Sequence, residues 1–453
     1  MGGTTERRSE SFERNPVDAR FVKVPPSIHT GNCLAPLRPG ACYPEHDRGV
    51  RPCVAHHAPL ATPRSIRATG GHCRASPGSW PRRGSSRRSV GPGGPRVVEP
   101  RALRPLLVYV HFPWCLEKCP YCDFVSYRTT REAIDQRGYT DAVLSELRAR
   151  LAGLRASGES WSLASVFIGG GTPSLWEPDQ LGRLLAELRA ELPAVGEVEV
   201  TAECNPSSLD RERAEGLARA GVNRLSIGVQ SLDADRLKFL GRLHDGPGAL
   251  RAVRDALDAG FARVSADLIY AVASQRPEEA VAEAAQLLDL GLTHLSAYSL
   301  TIEAGTRFGE LARRGRLPLA DDGATIETFF ALHESLGQRG LGHYEVSNYA
   351  APGQESQHNL GYWQGQLYLG LGCAAVGATP APDGQVVRYR NQPVPEQYVA
   401  AVARAAPLFE AGGLPDSAES LDPEMRLRER IMLGLRLASG FDLEEAAASL
   451  GVD

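Results

Sequence analysis

Nowhere in the 453 residues is there an apolar run long enough to cross a bilayer. The longest uncharged stretch, Ser356 to Pro382, is broken by Gln357, His358, Asn359, Gln364, Gln366 and two prolines. A secretory leader is missing too: Glu6, Arg7, Arg8, Glu10, Glu13 and Arg14 stand where an apolar core is needed. Methionine is scarce, with none between Met1 and Met425. Positive charge is thin over most of the chain. Residues 1–104 carry 18 basic against 7 acidic side chains, but the remaining 349 carry 32 against 47, a net of −15. So acidic a body argues against nucleic acid as a partner, because phosphate neutralisation needs clustered cations. At most a peripheral membrane contact is left. Nine cysteines, an odd number without a leader, point to reduced thiols in the cytoplasm that serve metal binding or catalysis.

The first 104 residues are rich in Arg, Pro, Gly, Ser and His and show neither helical nor strand periodicity. Cys33, Cys42, Cys53 and Cys73 fall there with His29, His46, His56, His57 and His72, but at irregular spacings without a CxxC pair. The expectation is a disordered basic tail, or an upstream extension whose true start lies near Arg104.

From Leu106 the pattern changes. Leu106–Phe112, Ser165–Ile168, Glu197–Ala202, Arg224–Val229, Val264–Tyr270 and His294–Leu300 read as strands. Amphipathic stretches at Tyr139–Leu154, Asp179–Leu192, Asp210–Ala220, Gly248–Ala259 and Glu278–Leu290 read as helices between them. Such an alternation predicts a partial or full parallel (β/α) barrel, with its ligand site at the carboxyl ends of the strands.

The residues after each strand carry the chemistry. Cys115, Cys119 and Cys122 follow the first at CxxxCxxC spacing. Three thiolates on one loop are one ligand short of a closed zinc site, but suit an iron–sulfur cubane with one open iron. The second strand ends in Gly169-Gly170-Gly171-Thr172, a tight turn or a backbone grip for an amino-acid group. Glu203 follows the third strand, Gln230 the fourth, Arg242 ends the helix after that, and Asp267 lies within the fifth strand. Singly, each is equally a solvated polar residue; together they offer carboxylates for hydroxyls and a sulfonium, and donors for a carboxylate.

In this order the motifs resemble the radical S-adenosylmethionine (SAM) superfamily. Within it, the chain is similar to the group of oxygen-independent coproporphyrinogen III oxidases and HemW haem chaperones, from about Leu106 to Leu437. The resemblance implies a 4Fe–4S cluster on Cys115, Cys119 and Cys122, with Tyr109 packed beside it. It implies that SAM is touched by Gly170, Gly171, Thr172, Glu203, Gln230, Arg242 and Asp267. Cys204 and Cys373 match no ligand position and read as small hydrophobes.

Two functions then compete: radical decarboxylation of coproporphyrinogen III, or binding of haem and its delivery to an acceptor protein. The oxidase pattern has a fourth cysteine two residues beyond the third, where this chain has Phe124. Gln357-His358-Asn359-Leu360-Gly361-Tyr362-Trp363 matches the HNxxYW pattern of the chaperones, which makes His358 a candidate haem ligand and Tyr362 and Trp363 a stacking platform. A structural histidine is the plainer alternative. Both features favour the chaperone.

Three departures stand out. Tyr270-Ala271-Val272-Ala273-Ser274-Gln275 replaces a usual Gly-Leu-Pro turn, Val376 stands where relatives often have histidine, and Asp453 falls just inside a C-terminal helical segment, as in an incomplete record. The expected division is a tail (1–104), a radical SAM core (105–320) and a C-terminal α/β extension (321–453).

Overall fold

The structure, a computed structural model, describes residues 103–452. The expectations for the basic tail, with its four cysteines and five histidines, therefore lie outside the described residues. Arg104 does not belong to that tail: it opens the first strand, and its N–H donates to Ser160 O at 2.9 Å.

The strands are β1 (Arg104–Phe112), β2 (Trp114–Cys115), β3 (Tyr127–Arg128), β4 (Trp161–Gly170), β5 (Ala194–Cys204), β6 (Arg224–Gln230), β7 (Val264–Tyr270), β8 (His294–Ser299), β9 (Gly342–Glu345), β10 (Asn348–Ala350), β11 (Tyr368–Leu371), β12 (Val376–Pro380), β13 (Val386–Asn391) and β14 (Pro415–Leu421). The helices are α1 (Gln136–Ala156), α2 (Pro178–Glu191), α3 (Arg211–Ala220), α4 (Ala234–Phe239), α5 (Gly246–Asp258), α6 (Pro277–Leu288), α7 (Arg307–Arg313), α8 (Asp322–Gln338), α9 (Gln357–Trp363), α10 (Pro395–Ala403), α11 (Pro423–Gly434) and α12 (Leu443–Leu450). Asp135, Asp210, Asp233 and Asp245 each accept a backbone N–H at the start of α1, α3, α4 and α5, so the crossovers begin on good caps.

Six parallel strands lie side by side in the order β1, β4, β5, β6, β7, β8. They do not close. β11 extends one edge beside β1, continuing through β12, β13 and β14, while β10 and β9 extend the other beside β8. Of the two expected forms, the open one occurs, and segments beyond residue 320 lengthen both edges of one sheet.

Side-chain alternation sorts each strand into two faces. Leu106, Val108, Val110 and Phe112 of β1 pack with Val143, Leu147 and Leu151 of α1 in the main core. Leu107, Tyr109 and His111 point to the opposite face, as do Ser165 and Phe167 of β4. On β5, Val200, Ala202 and Cys204 join the main core, so Glu199, Thr201 and Glu203 share the inner face. That face carries the site at one end and a polar floor at the other.

Candidate functional site: the strand-end cleft

β1 delivers the cysteine loop. Trp114 and Cys115 pair as a short parallel strand with Tyr127 and Arg128, and Thr129 N–H donates to Cys115 O at 2.9 Å. The loop is tied back by His111, whose Nε2 lies 2.8 Å from Val125 O, and by Lys118, whose Nζ donates to Phe124 O at 3.0 Å. Sequence reasoning passed over His111, although alternation along β1 places it on the same face as Tyr109.

The glycine turn after β4 sits against this loop. Gly171 N–H donates to Phe112 O at 2.7 Å, and a Cβ at Gly171 would lie 2.5 Å from Trp114 O. Gly170 has φ +109, and a Cβ there would meet the His111 ring at 2.5 Å. Both positions therefore require glycine for close packing. Thr172 Oγ1 donates to Cys115 Sγ at 3.3 Å.

A cleft of about 710 Å³ unites the three cysteines with Gly170, Gly171, Thr172, Glu203, Gln230, Arg242 and Asp267. Phe124, Ser126, Asn205, Ser226 and Gly228 are among its other lining residues; the sequence reading had assigned them no place on the wall. Tyr109 is the exception among the expected rim residues. It is fully buried one layer below, its hydroxyl 3.0 Å from His111 Nδ1 and its ring 6.4 Å from Phe167. It supports the cleft through His111.

The electrostatics are those of an incomplete site. Burial, followed by the neighbouring Asp267 charge, pushes Glu203 up to about 8, while the Gly170 N–H donated to its carboxylate at 3.0 Å pulls the other way. Burial likewise raises Asp267 to about 6, against the hydroxyls of Ser296 and Ser226. Arg242 donates to Gly228 O at 2.7 Å and to Cys119 Sγ at 3.3 Å. Gln230 holds φ +66, and its buried Oε1 has no hydrogen-bond partner. A strained non-glycine residue with an orphaned acceptor marks a place built for a ligand.

Among the described residues, no three His, Cys, Asp or Glu side chains converge closely enough to hold a single ion. Burial pushes the Cys122 thiol up to about 12 and raises Cys115 as well. Three thiols around one cleft, too far apart for a mononuclear centre, fit a larger cluster that keeps them as thiolates.

His358 stands elsewhere. It is fully buried in α9, its Nδ1 2.8 Å from Ser165 Oγ and its ring 5.2 Å from Phe167 and 4.8 Å from Tyr362. Ser165 and Gly170 are five residues apart on β4, which puts His358 roughly 15 Å below the rim. Tyr362 and Trp363 are buried at 4% and 0% exposure. The expected haem ligand and stacking platform are therefore enclosed in the fold, with His358 Nε2, the Tyr362 hydroxyl and Trp363 Nε1 buried without a hydrogen-bond partner. The motif is locally polar–aromatic, but β4 and β5 arrive over it and exclude solvent. The altered turn after β7 also has a visible cost: Ala271 and Ser274 adopt φ +59 and +65, while Val272 packs beneath the cysteine loop with Tyr121 and Phe308.

Comparison with known proteins places these features. The radical SAM superfamily matches residues 109–288, and the HemN C-terminal domain family matches residues 421–453. Heme chaperone HemW of Haemophilus influenzae is 37% identical over 313 residues, covering 69% of this chain and 79% of that protein. Heme chaperone HemW of Escherichia coli is 42% identical over 286 residues, covering 63% and 73%. The crystallised coproporphyrinogen III oxidase HemN of Escherichia coli shares the fold, with a TM-score of 0.63 at 22% identity over 77% of this chain and 80% of that one. Through the match to these relatives over most of their length, the chain belongs to the HemW family of the radical SAM superfamily.

Proposed function

We propose that this protein binds haem and delivers it to an acceptor protein, on a scaffold whose strand-end cleft holds a 4Fe–4S cluster and SAM. Cys115, Cys119 and Cys122 would hold the cluster as thiolates. Gly170, Gly171 and Thr172 take the amino-acid end of SAM, Gln230 and Arg242 its carboxylate, and Glu203 and Asp267 its ribose hydroxyls and sulfonium, with Tyr109 bracing the layer below. A cation or a pair of hydroxyls against Glu203 and Asp267 would relieve two buried carboxyls that now repel each other. When bound, the cluster supplies one-electron reduction of SAM. The chain's own residues orient the ligand and exclude water. Residues 105–320 carry this function and residues 321–453 serve the cargo. No described helix is long and apolar enough to cross a membrane.

Phe124 is the observation that carries the choice against the oxidase. It lines the cleft two residues past Cys122, where a phenyl ring neither coordinates metal nor donates a hydrogen bond. The decisive experiment is anaerobic: reconstitute with iron and sulfide, then supply SAM, a reductant and coproporphyrinogen III in one arm and haem in the other. Haem binding without turnover is expected. Repeated conversion to protoporphyrinogen IX would restore the oxidase.

A further inference from the structure

His358 is enclosed in the fold, and a second large cleft offers the cargo an open seat. It lies between α11 and the face of β11 to β14, is closed at one end by the last turn of α9, and has a volume of about 760 Å³. Its charges do not cancel. Arg388 on the wall is satisfied: its guanidinium meets both Glu419 and Glu429 at 2.6 Å. Arg426 and Arg430, one turn apart on α11, form no ion pair among the described residues, and Arg430 reaches only Ser449 Oγ, at 3.5 Å. Like charges at this spacing repel. Burial, with the Arg104 and Arg430 cations, holds Arg426 below the usual guanidinium range; Glu429 opposes this, but its carboxylate is already bound to Arg388. On the opposite wall, Tyr362 has a buried hydroxyl without a hydrogen-bond partner. Met432, 40% exposed, brings the only soft donor among the lining residues.

We infer that this cleft is the haem seat, with Arg426 and Arg430 on the two propionates, Met432 on the iron and the Tyr362 edge against the macrocycle. The inference rests on the haem-delivery reading above. Two adjacent unneutralised guanidiniums beside an apolar slot match a flat apolar body with two carboxylates on one edge, and a thioether is an established axial ligand. Gly365, at φ +68, makes room for Arg430: a Cβ there would lie 2.8 Å from Arg430 Cγ. One exposed thioether with no second ligand suits cargo that must be released.

The test uses the full chain with its cluster reconstituted, titrated anaerobically with haem, with iron-free protoporphyrin IX and with protoporphyrin IX dimethyl ester. Wild type is expected to bind the first two and to bind the ester roughly ten- to a hundredfold more weakly, the equivalent of one or two charge-assisted contacts. The double variant Arg426→Gln, Arg430→Gln should lose a similar factor for the free acids and none for the ester. Met432→Leu should shift the Soret band of bound haem while leaving protoporphyrin affinity unchanged. Iron content and melting temperature report that each variant is folded, and the ester arm needs no variant. If wild type binds haem but esterification and both variants leave binding unchanged, this seat is wrong and the delivery reading stands. If wild type binds no haem, both fall.

Discussion

Glu199 and Glu203 lie four residues apart on the same face of β5, about 13 Å along one strand, and have opposite fates. Glu199 sits at the floor, fully engaged. It meets Arg263 Nη2 at 3.1 Å and Arg224 Nε at 4.0 Å, and accepts the N–H groups of Gln357 and His358, each at 3.1 Å. Its carboxylate thus caps the short helix that plugs the sheet's inner face. Glu203 sits at the rim with one backbone N–H and a carboxyl of its own sign nearby. The difference teaches where to look for function: a buried charge that the chain satisfies is architecture, and one it leaves unsatisfied awaits a ligand.

The largest test of that contrast is Glu199→Ala. It strands Arg224, only 3% exposed, and uncaps α9. The expected loss is about 3–5 kcal/mol of unfolding free energy, since removing one partner leaves a buried charge uncompensated. Urea denaturation of the apo-protein measures it; a variant as stable as wild type would erase the distinction between floor and rim.

Glu203→Gln should act with the opposite sign. Its folded-state value of about 8 lies above the ordinary 4.5, so its contribution is fully present below about pH 4.5 and is lost as pH rises through 8. Wild-type apo-protein should therefore lose up to about 4 kcal/mol across this window, and the variant should lose much less. The comparison is urea midpoints at pH 5, 7 and 9. Equal slopes for the two proteins would remove Glu203 as their source. The variant should also bind SAM more weakly, a readout separate from stability.

His358→Ala addresses the motif that the structure encloses. It opens a cavity between Phe167 and Tyr362 and leaves Ser165 Oγ without its partner. A loss of about 2–3 kcal/mol is expected, with haem affinity unchanged in the folded protein at low temperature. Burial pushes this imidazole from 6.5 down to about 3, so wild type should lose stability as pH falls below about 6.5, where the unfolded chain takes up the proton, and the variant should lose less from pH 7 to pH 5. A haem affinity that collapses while the melting temperature holds would return the ligand role to His358.

Why the rim was legible and the floor was not follows from sequence separation. Cys115, Cys119 and Cys122 announce themselves by local spacing, and Glu203 and Gln230 by standing at the ends of strands whose periodicity is strong, while Asp267 sits midway along β7. The cysteines, Glu203 and Gln230 lie on the one edge that every crossover shares. His358 is held by Ser165, 193 residues away, and by Glu199, 159 residues away. Nothing within the heptapeptide Gln357–Trp363 tells whether its histidine faces iron or serine. The added strands β9 to β14 escaped for a related reason. β10 has three residues and β11 four, too short for alternation to register. His111 was within reach, since its parity along β1 matches Tyr109.

The smallest expected effect separates two serines with the same chemistry. Ser226 Oγ donates to both Asp267 oxygens at the rim, at 3.2 and 3.3 Å, while Ser165 Oγ faces His358 at the floor. Ser226→Ala removes a donor that favours the charged carboxylate, so Asp267 should rise above its value of about 6. Stability should change by under about 1 kcal/mol, because Ser296 still donates and a neutral Asp267 is the cheaper buried form. SAM affinity near pH 7 should fall by a few fold and recover as pH is raised, since a cationic ligand needs the charged form. Ser165→Ala should instead lower the melting temperature and leave SAM affinity alone. Calorimetric titration of SAM into both reconstituted variants at pH 6.5 and 8 decides it: if the two serines trade these effects, the floor and not the rim tunes the ligand.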